Sequence, residues 1–318
     1  MVKFTGCQLA SDYSGWPEGQ EYVYVEPKLD GYRLTAVVSN LGDVQFFCRG
    51  AESPEWAENL GHIAEELKAL YDEYAKRGSS LMMGVVLDGE LDAGTWGKTS
   101  SLVRRKRSLA SDADKQEMRD HLKFHIFDWV PLNHETEVQR LPRRRTDSLV
   151  NTCPLSTRRA VLDQIMDVYS EMDNNGSLVK VPYVIAFNGW EVDNQHLIYE
   201  AEYEGSMVKL PGAGYSYNDR TNWWLKIKPM KTVEMRIVDS AVGYGKHAGR
   251  LGAFICEDTK GRSVRVGGGF TDEERAKFWS LRNHMVGQII EVKIQGGKSF
   301  GVARHPVFMR LRHDRVGL

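Results

Sequence analysis

The chain has 318 residues, 42 Lys and Arg against 43 Asp and Glu, and a formal net charge of −1, a length that fits two domains each able to bury its own core. With 42% hydrophobic and 27% charged residues it has the composition of a globular protein, and no apolar run approaches the ~20 residues of a membrane span or the core of a signal peptide, so no membrane is expected and the chain should stay in the cytoplasm where it is made. Cys7, Cys48, Cys153 and Cys256 lie far apart, which excludes a Cys-x-x-Cys zinc site and a dense disulfide framework and reads as reduced thiols. The near-zero net charge hides an asymmetry: from Pro229 onward Lys and Arg outnumber Asp and Glu by 16 to 9, a balance suited to a polyanionic partner.

In chain order, Tyr22–Val25 and Leu34–Val38 read as extended segments flanking Glu26-Pro27-Lys28-Leu29-Asp30-Gly31-Tyr32-Arg33, a turn that carries one lysine between a carboxylate and an arginine. The same device recurs as Asp88-Gly89-Glu90-Leu91 and as Glu204-Gly205-Ser206-Met207-Val208-Lys209. Alone, the first is an ordinary Asp-Gly turn with a solvated lysine. Three together need a common cause. Asp43–Gly50 predicts a strand ending in an exposed Arg49, and the apolar spacing from Pro54 to about Arg77 predicts a helix whose aromatic face is core. Leu81–Leu91 predicts a strand with Glu90 at its end, and 97–115, containing Arg104-Arg105-Lys106-Arg107, reads as a basic loop that is either solvated or contacts phosphate. Phe124–Val130 predicts a strand and Arg143-Arg144-Arg145 a second basic cluster. A helix from Ser156 to about Met172, a strand from Leu178 to Phe187 and a short helix near Gln195–Tyr199 follow. Asn222–Lys228 predicts a strand with Trp224, Lys226 and Lys228 on one face. Beyond Pro229, short strands around one helix from about Thr271 to Asn283, with many glycines, suit a small oligonucleotide-binding (OB) barrel. The expected domains are 1–228 and 229–318.

Several motifs fail on inspection. Gly97-Lys98-Thr99 and Gly297-Lys298-Ser299 end like phosphate-binding loops, but Asp92 and Val292 stand where the first glycine is required. Gly243-Tyr244-Gly245-Lys246-His247-Ala248 has dinucleotide-binding spacing without a following helix, and reads as a glycine-rich turn. His134-Glu135 lacks the second histidine of a zinc protease.

The surviving residues suit chemistry at phosphorus. An ordinary lysine, with a pKa near ~10.4, is under ~0.1% neutral amine at pH 7, so a nucleophilic lysine needs nearby cations or desolvation. Lys226, Lys228, Arg33 and a divalent metal would supply such charge, hold a triphosphate and offset charge on leaving pyrophosphate. Glu90 and Glu204 offer oxygen ligands suited to magnesium, and Phe127 or Trp129 offers a ring that either stacks a purine or packs in the core.

Lys28-Leu29-Asp30-Gly31-Tyr32-Arg33 resembles motif I of the covalent nucleotidyltransferases, Lys-x-Asp-Gly-x-Arg, shared by ATP-dependent DNA ligases, RNA ligases and capping enzymes. Asp88-Gly89-Glu90 then resembles motif III, Phe127-Asp128 motif IIIa, Glu204 to Lys209 motif IV, Trp224 to Lys228 motif V and Arg310-Leu311-Arg312-His313-Asp314-Arg315 motif VI. The likeness is nearest to compact, phage-type ATP-dependent DNA ligases. It implies an α+β fold: an adenylation domain of antiparallel sheets with flanking helices, then an OB-fold β-barrel. It further implies that Lys28 becomes the adenylyl-lysine, that Glu26 recognises adenine while Phe127 stacks on it, and that Pro27 and Leu29 line the same site. Glu90 would hold the ribose, Arg33 and Arg49 the ribose or the 5′-phosphate of a nick, and Glu204, Lys226 and Lys228 the metal and α-phosphate. Arg310, Arg312 and Asp314 would orient pyrophosphate. Cys48-Arg49-Gly50 departs from the family pattern, which has Ser or Thr before the arginine. The resemblance implies ATP and magnesium or manganese, nicked duplex DNA, a monomer, and a bacterial or phage-infected cytoplasm. Alternatives stay open in an RNA ligase and, from another class, a non-catalytic nucleic-acid-binding OB protein. A capping guanylyltransferase fits motifs V and VI less well, and an NAD-dependent ligase lacks the length and cysteines.

Overall fold

The computed structural model describes residues 4–50, 53–77, 84–105, 111–132, 136–139, 148–295 and 304–312. It divides into two compact units, Met1–Tyr199 with Gly205–Ile227, and Glu200–Glu204 with Lys228–Leu318. In chain order the first unit runs through β1 (Leu9–Asp12), β2 (Val23–Lys28), β3 (Tyr32–Val38), β4 (Val44–Phe47), α1 (Gly61–Lys76), β5 (Val85–Asp92), α2 (Trp96–Val103), α3 (Asp112–His121) and β6 (Lys123–Pro131). It continues with β7 (Thr136–Gln139), β8 (Ser148–Asn151), α4 (Leu155–Glu171), β9 (Leu178–Lys180), β10 (Val184–Ala186), α5 (Gly189–Tyr199), β11 (Gly205–Lys209), β12 (Tyr215–Ser216) and β13 (Arg220–Ile227).

Two five-stranded sheets dominate this unit, one ordered β1-β13-β11-β2-β10 and the other β4-β3-β5-β6-β9, with a small sheet β12-β8-β7 beside them. The pairings are antiparallel, as expected, except β1 with β13 and β6 with β9, each at a sheet edge. Both faces of the second sheet are covered, and each carries apolar residues that enter a core. Leu34, Ala36, Leu87, Leu91 and Phe124 pack toward α1 and α4. Val86 and Val130 point the other way, into a second core with Tyr215 of the small sheet and Trp224 of the first sheet. Between these two sheets lies the space where the motif residues converge.

Helix α4 is held at its start by both sheets. Its first amides donate to the main chain, Leu155 to Ala213 O and Ser156 to Pro211 O at 2.9 Å each, in place of a side-chain cap. Arg158 forks onto Asp128 of β6 at 2.8 and 2.9 Å, both side chains fully buried, and the next residue, Arg159, reaches Glu26 of β2.

Several local expectations change. The expected basic loop at 97–115 contains helices α2 and α3, each started by a side-chain cap, Thr95 for α2 and a Ser111–Asp114 capping box for α3. Asp88-Gly89-Glu90 lies inside β5, on the expected strand, and a Cβ on Gly89 would stand 2.3 Å from His125 O, so the glycine serves a close strand approach beside a bulge rather than a turn. The expected strand 178–187 is two short strands in different sheets, and the expected helix 54–77 begins as a 3-10 segment, Glu55–Leu60. Helix α5 starts earlier than expected, at Gly189.

The second unit contains β14 (Met230–Val242), β15 (Leu251–Glu257), β16 (Ser263–Val266), α6 (Asp272–Ser280), α7 (Arg282–Met285), β17 (Ile289–Gln295) and β18 (Arg304–Leu311), with the sheet order β16-β15-β14-β17-β18. Met235, Ile237, Phe254, Val266, Phe278 and Phe308 form its core. The barrel expected here is not fully laddered: among the described residues the outer strands are joined by one bridge, Gly268 with Val307, and Phe308 N–H donates to Gly268 O at 2.9 Å. That approach requires glycine next door, because a Cβ on Gly269 would lie 2.2 Å from Phe308 O and its φ is +91°. Gly243–Gly249 forms a 3-10 turn rather than a dinucleotide-binding helix start.

Candidate functional site

Strand register builds the site. On β2, period-two alternation puts Tyr24, Glu26 and Lys28 on one face, and antiparallel pairing sets Gly205 opposite Lys28, Met207 opposite Glu26 and Lys209 opposite Tyr24. Strand β13 then brings Lys226 opposite Met207 and Trp224 opposite Lys209. One face of the first sheet therefore carries Glu26, Lys28, Lys209 and Lys226, and its Met207 and Trp224 enter the core shared with the second sheet. Pro27 and Leu29 flank the lysine on alternate positions. Lys226 Nζ pairs with Asp12 at 3.0 Å and approaches Ala10 O at 3.4 Å.

The second sheet presents Arg33, Asp88, Glu90 and Phe127 toward the same core. Arg33 sits opposite Glu90 in register, and its guanidinium forks onto Asp88 at 2.7 and 2.6 Å and donates to Gln8 O at 3.2 Å. Burial works against this charge, but Asp88 outweighs it and holds the guanidinium well above its ordinary pKa. Tyr215 O–H donates to the same carboxylate at 2.6 Å, and burial followed by the Asp88 charge pushes that phenol well above its usual value. The Phe127 ring meets Trp224 edge-on at 5.7 Å, with the Arg33 guanidinium 4.7 Å and the Lys209 ammonium 4.3 Å from its centre. The ring expected to stack a base is thus bordered by two cations. Arg49 follows β4 and is exposed, its carbonyl accepting from Cys7 N–H at 3.2 Å.

Glu26 is enclosed by charge. Lys209 Nζ lies 2.8 Å from one carboxylate oxygen and Arg159 contacts the other. Burial lowers the Arg159 pKa to about 10, and burial reinforced by Arg159 pushes the Lys209 ammonium well below its ordinary value.

The second unit places the remaining motif residues. Lys228 pairs with Glu204 at 3.1 Å. Arg312 meets Glu234 at 2.6 Å and Glu291 at 3.5 Å, and Arg310 pairs with Glu291 at 2.7 Å. Asp314 lies outside the described residues, as do Lys106, Arg107 and Arg143 to Arg145. Of the basic run that is described, Arg105 is engaged by Asp114 and Glu117 at 2.7 and 2.8 Å, whereas Arg104 is exposed near the Tyr32 ring.

Arg159, Lys209 and Asp88 belong to this constellation and had no role assigned from sequence. Lys209 and Asp88 stand at the ends of recognised motifs, a positional signal. Arg159 sits on an amphipathic helix, where a buried arginine spells the same as a solvated one.

A family profile described as the ATP dependent DNA ligase domain matches residues 8–228, and one described as the DNA ligase OB-like domain matches 242–312. DNA ligase 2 of Methanosarcina acetivorans is 25% identical over 344 aligned positions, covering 99% of this chain and 56% of the relative. The chain spans about half the length of the curated relatives it matches. Among solved structures, one described as Pmar-Lig superposes with a TM-score of 0.75 at 24% identity, covering 98% of this chain and 68% of its own. A Lig E DNA ligase, from a study of DNA binding with a minimal scaffold, gives 0.65 at 20% identity, with coverage of 96% and 99%.

Proposed function

The chain belongs to the ATP-dependent DNA ligase family, and from that premise we propose that it seals nicks in duplex DNA, as a monomer in the cytoplasm, with 1–228 as the adenylation domain and 229–318 as the OB domain. The observation that carries this reading is the face of the first sheet on which Glu26, Lys28 and Lys226 stand in register, opposite a second sheet bearing Arg33, Glu90 and Phe127.

Three displacements at phosphorus follow. Lys28, having lost a proton, attacks the α-phosphate of ATP; a P–N bond forms, the bond to the β-phosphate breaks and pyrophosphate leaves. A nick's 5′-phosphate oxygen then attacks the AMP phosphorus, the P–N bond breaks, and Lys28 takes up a proton as it leaves. Finally the adjacent 3′-hydroxyl attacks the 5′-phosphate, forming the 3′-5′ phosphodiester bond as AMP departs. Lys226 and Lys228 stabilise charge on the α-phosphate, Glu90 holds the ribose, Arg33 and Arg49 contact the ribose or 5′-phosphate, and Arg310, Arg312 and Asp314 orient pyrophosphate. Magnesium suits the hard carboxylate oxygens of Glu90 and Glu204; when bound it would neutralise phosphate charge. Among the described residues no group of three or more His, Cys, Asp and Glu side chains forms an ion site. A metal held by few protein oxygens plus substrate phosphates fits this donor set.

Incubation with magnesium and α-labelled ATP or GTP, then a chase with nicked DNA or nicked RNA, tests the reading. Covalent label from ATP, its absence in Lys28→Ala, and discharge as DNA is sealed are expected. Discharge by RNA alone would favour an RNA ligase, and no label on the wild-type chain would leave only a nucleic-acid-binding protein.

A further inference from the structure

Glu26, Arg159 and Lys209 are all but completely buried, at 1%, 3% and 1% exposure. An apolar cluster of similar volume is commonly as stable as a buried ion cluster, so stability alone gives weak reason for three such charges. Their arrangement is directional. Arg159 is fixed by a helix whose preceding residue, Arg158, is locked onto Asp128, and its guanidinium lies over the rings of Tyr24 at 4.8 Å and Tyr183 at 4.3 Å. From there it contacts one Glu26 oxygen, while Lys209 meets the other at 2.8 Å beside the Phe127 ring. Each Glu26 oxygen thus has one cationic neighbour, whereas a carboxylate offers about four lone-pair sites. With one cation at each oxygen, the carboxylate keeps lone pairs that can accept from a further donor.

We infer that Arg159 is a positioning residue for the choice of nucleobase: with Lys209 it holds the Glu26 carboxylate ionised and fixed, so that it accepts from the 6-amino group of adenine and repels the 6-oxygen of guanine. The inference rests on the reading of Glu26 as the group that meets the base. An ionised carboxylate only accepts, whereas a protonated one also donates and tolerates a 6-oxo purine. Selectivity therefore depends on what keeps the proton off.

The test measures covalent labelling of the full chain across concentrations of α-labelled ATP and of α-labelled GTP, with magnesium, in the wild type, Arg159→Met, Arg159→Lys and Lys209→Met. Arg159→Met is expected to raise KM for ATP by about tenfold or more and to narrow the ATP-to-GTP ratio by a similar factor, the scale of one hydrogen bond to a charged group. Arg159→Lys should recover most of the discrimination. Both KM and the ratio are independent of how much of a sample is folded, so they separate positioning from mere destabilisation. If Arg159→Met yields no folded protein, Lys209→Met is expected to narrow the ratio, and an unchanged ratio there overturns the inference. Unchanged ratios in all variants, with wild-type labelling intact, overturn the inference alone. A wild-type chain that takes no label overturns the functional reading and the inference with it.

Discussion

Asp88 has no exposed surface and yet carries the charge on which Arg33 and the Tyr215 hydroxyl both depend. Removing one partner of a buried pair leaves the other uncompensated, so Asp88→Ala is expected to cost about 3–5 kcal/mol of stability, read as a drop in the urea unfolding midpoint. A loss below about 1 kcal/mol would mean that water enters and solvates Arg33. Lys28 and Arg33 were legible in the sequence because local spacing fixes them on one motif. What they touch was not: Arg33 forks onto a residue 55 positions away on the neighbouring strand, and Glu26 meets a helix residue 133 positions away, so the partners are chosen only when β3 pairs with β5 and α4 docks on β2. A sequence shows that a cation exists, and tertiary packing decides whether it meets solvent, a carboxylate or a ring.

Strand β5 shows how one glycine sets an element. Gly89→Ala would drive a methyl group into His125 O and the Phe124 ring, and the expected result is a loss of several kcal/mol or failure to fold, seen as insoluble protein or a large fall in Tm. Normal stability would require β5 and β6 to separate locally without consequence. The 97–115 segment was misread because helices α2 and α3 bury few large residues, Leu102, Val103 and Met118, and their polar surfaces spell like a loop. Their caps were the available signal, Thr95 and the Ser111–Asp114 pair. The segment's charges now divide. Arg105→Ala should destabilise α3, whose Asp114 and Glu117 it joins, and leave the salt dependence of nicked-DNA binding unchanged; Arg104→Ala should reduce the salt slope by about one. Equal slopes for both variants would remove Arg104 from the phosphate contacts.

Across the whole chain, the core-facing side of α1, with Ile63, Leu67, Leu70 and Tyr74, was readable from apolar periodicity, but the grouping of Glu200–Glu204 with the second unit was not, since it depends on contacts far along the chain. Among the described residues no helix is long and apolar enough to cross a membrane. Stability should respond to mild acid. Burial lowers the pKa of His62 and of His125 below the ordinary value near 6.5, so the unfolded chain takes up protons first as pH falls. Stability is complete above about pH 6.5 and declines from there down to the folded-state values; a Tm independent of pH between about 7 and 5 would contradict this. The start of α4 has a different consequence. Helix ends normally fray, and their amide protons exchange with solvent quickly. Here the first amides donate to Pro211 and Ala213, and consecutive arginines grip Asp128 on one sheet and Glu26 on the other. Deuterium should therefore reach the first turn of α4 only when both grips release together, making this helix end among the slowest-exchanging backbone of the first unit.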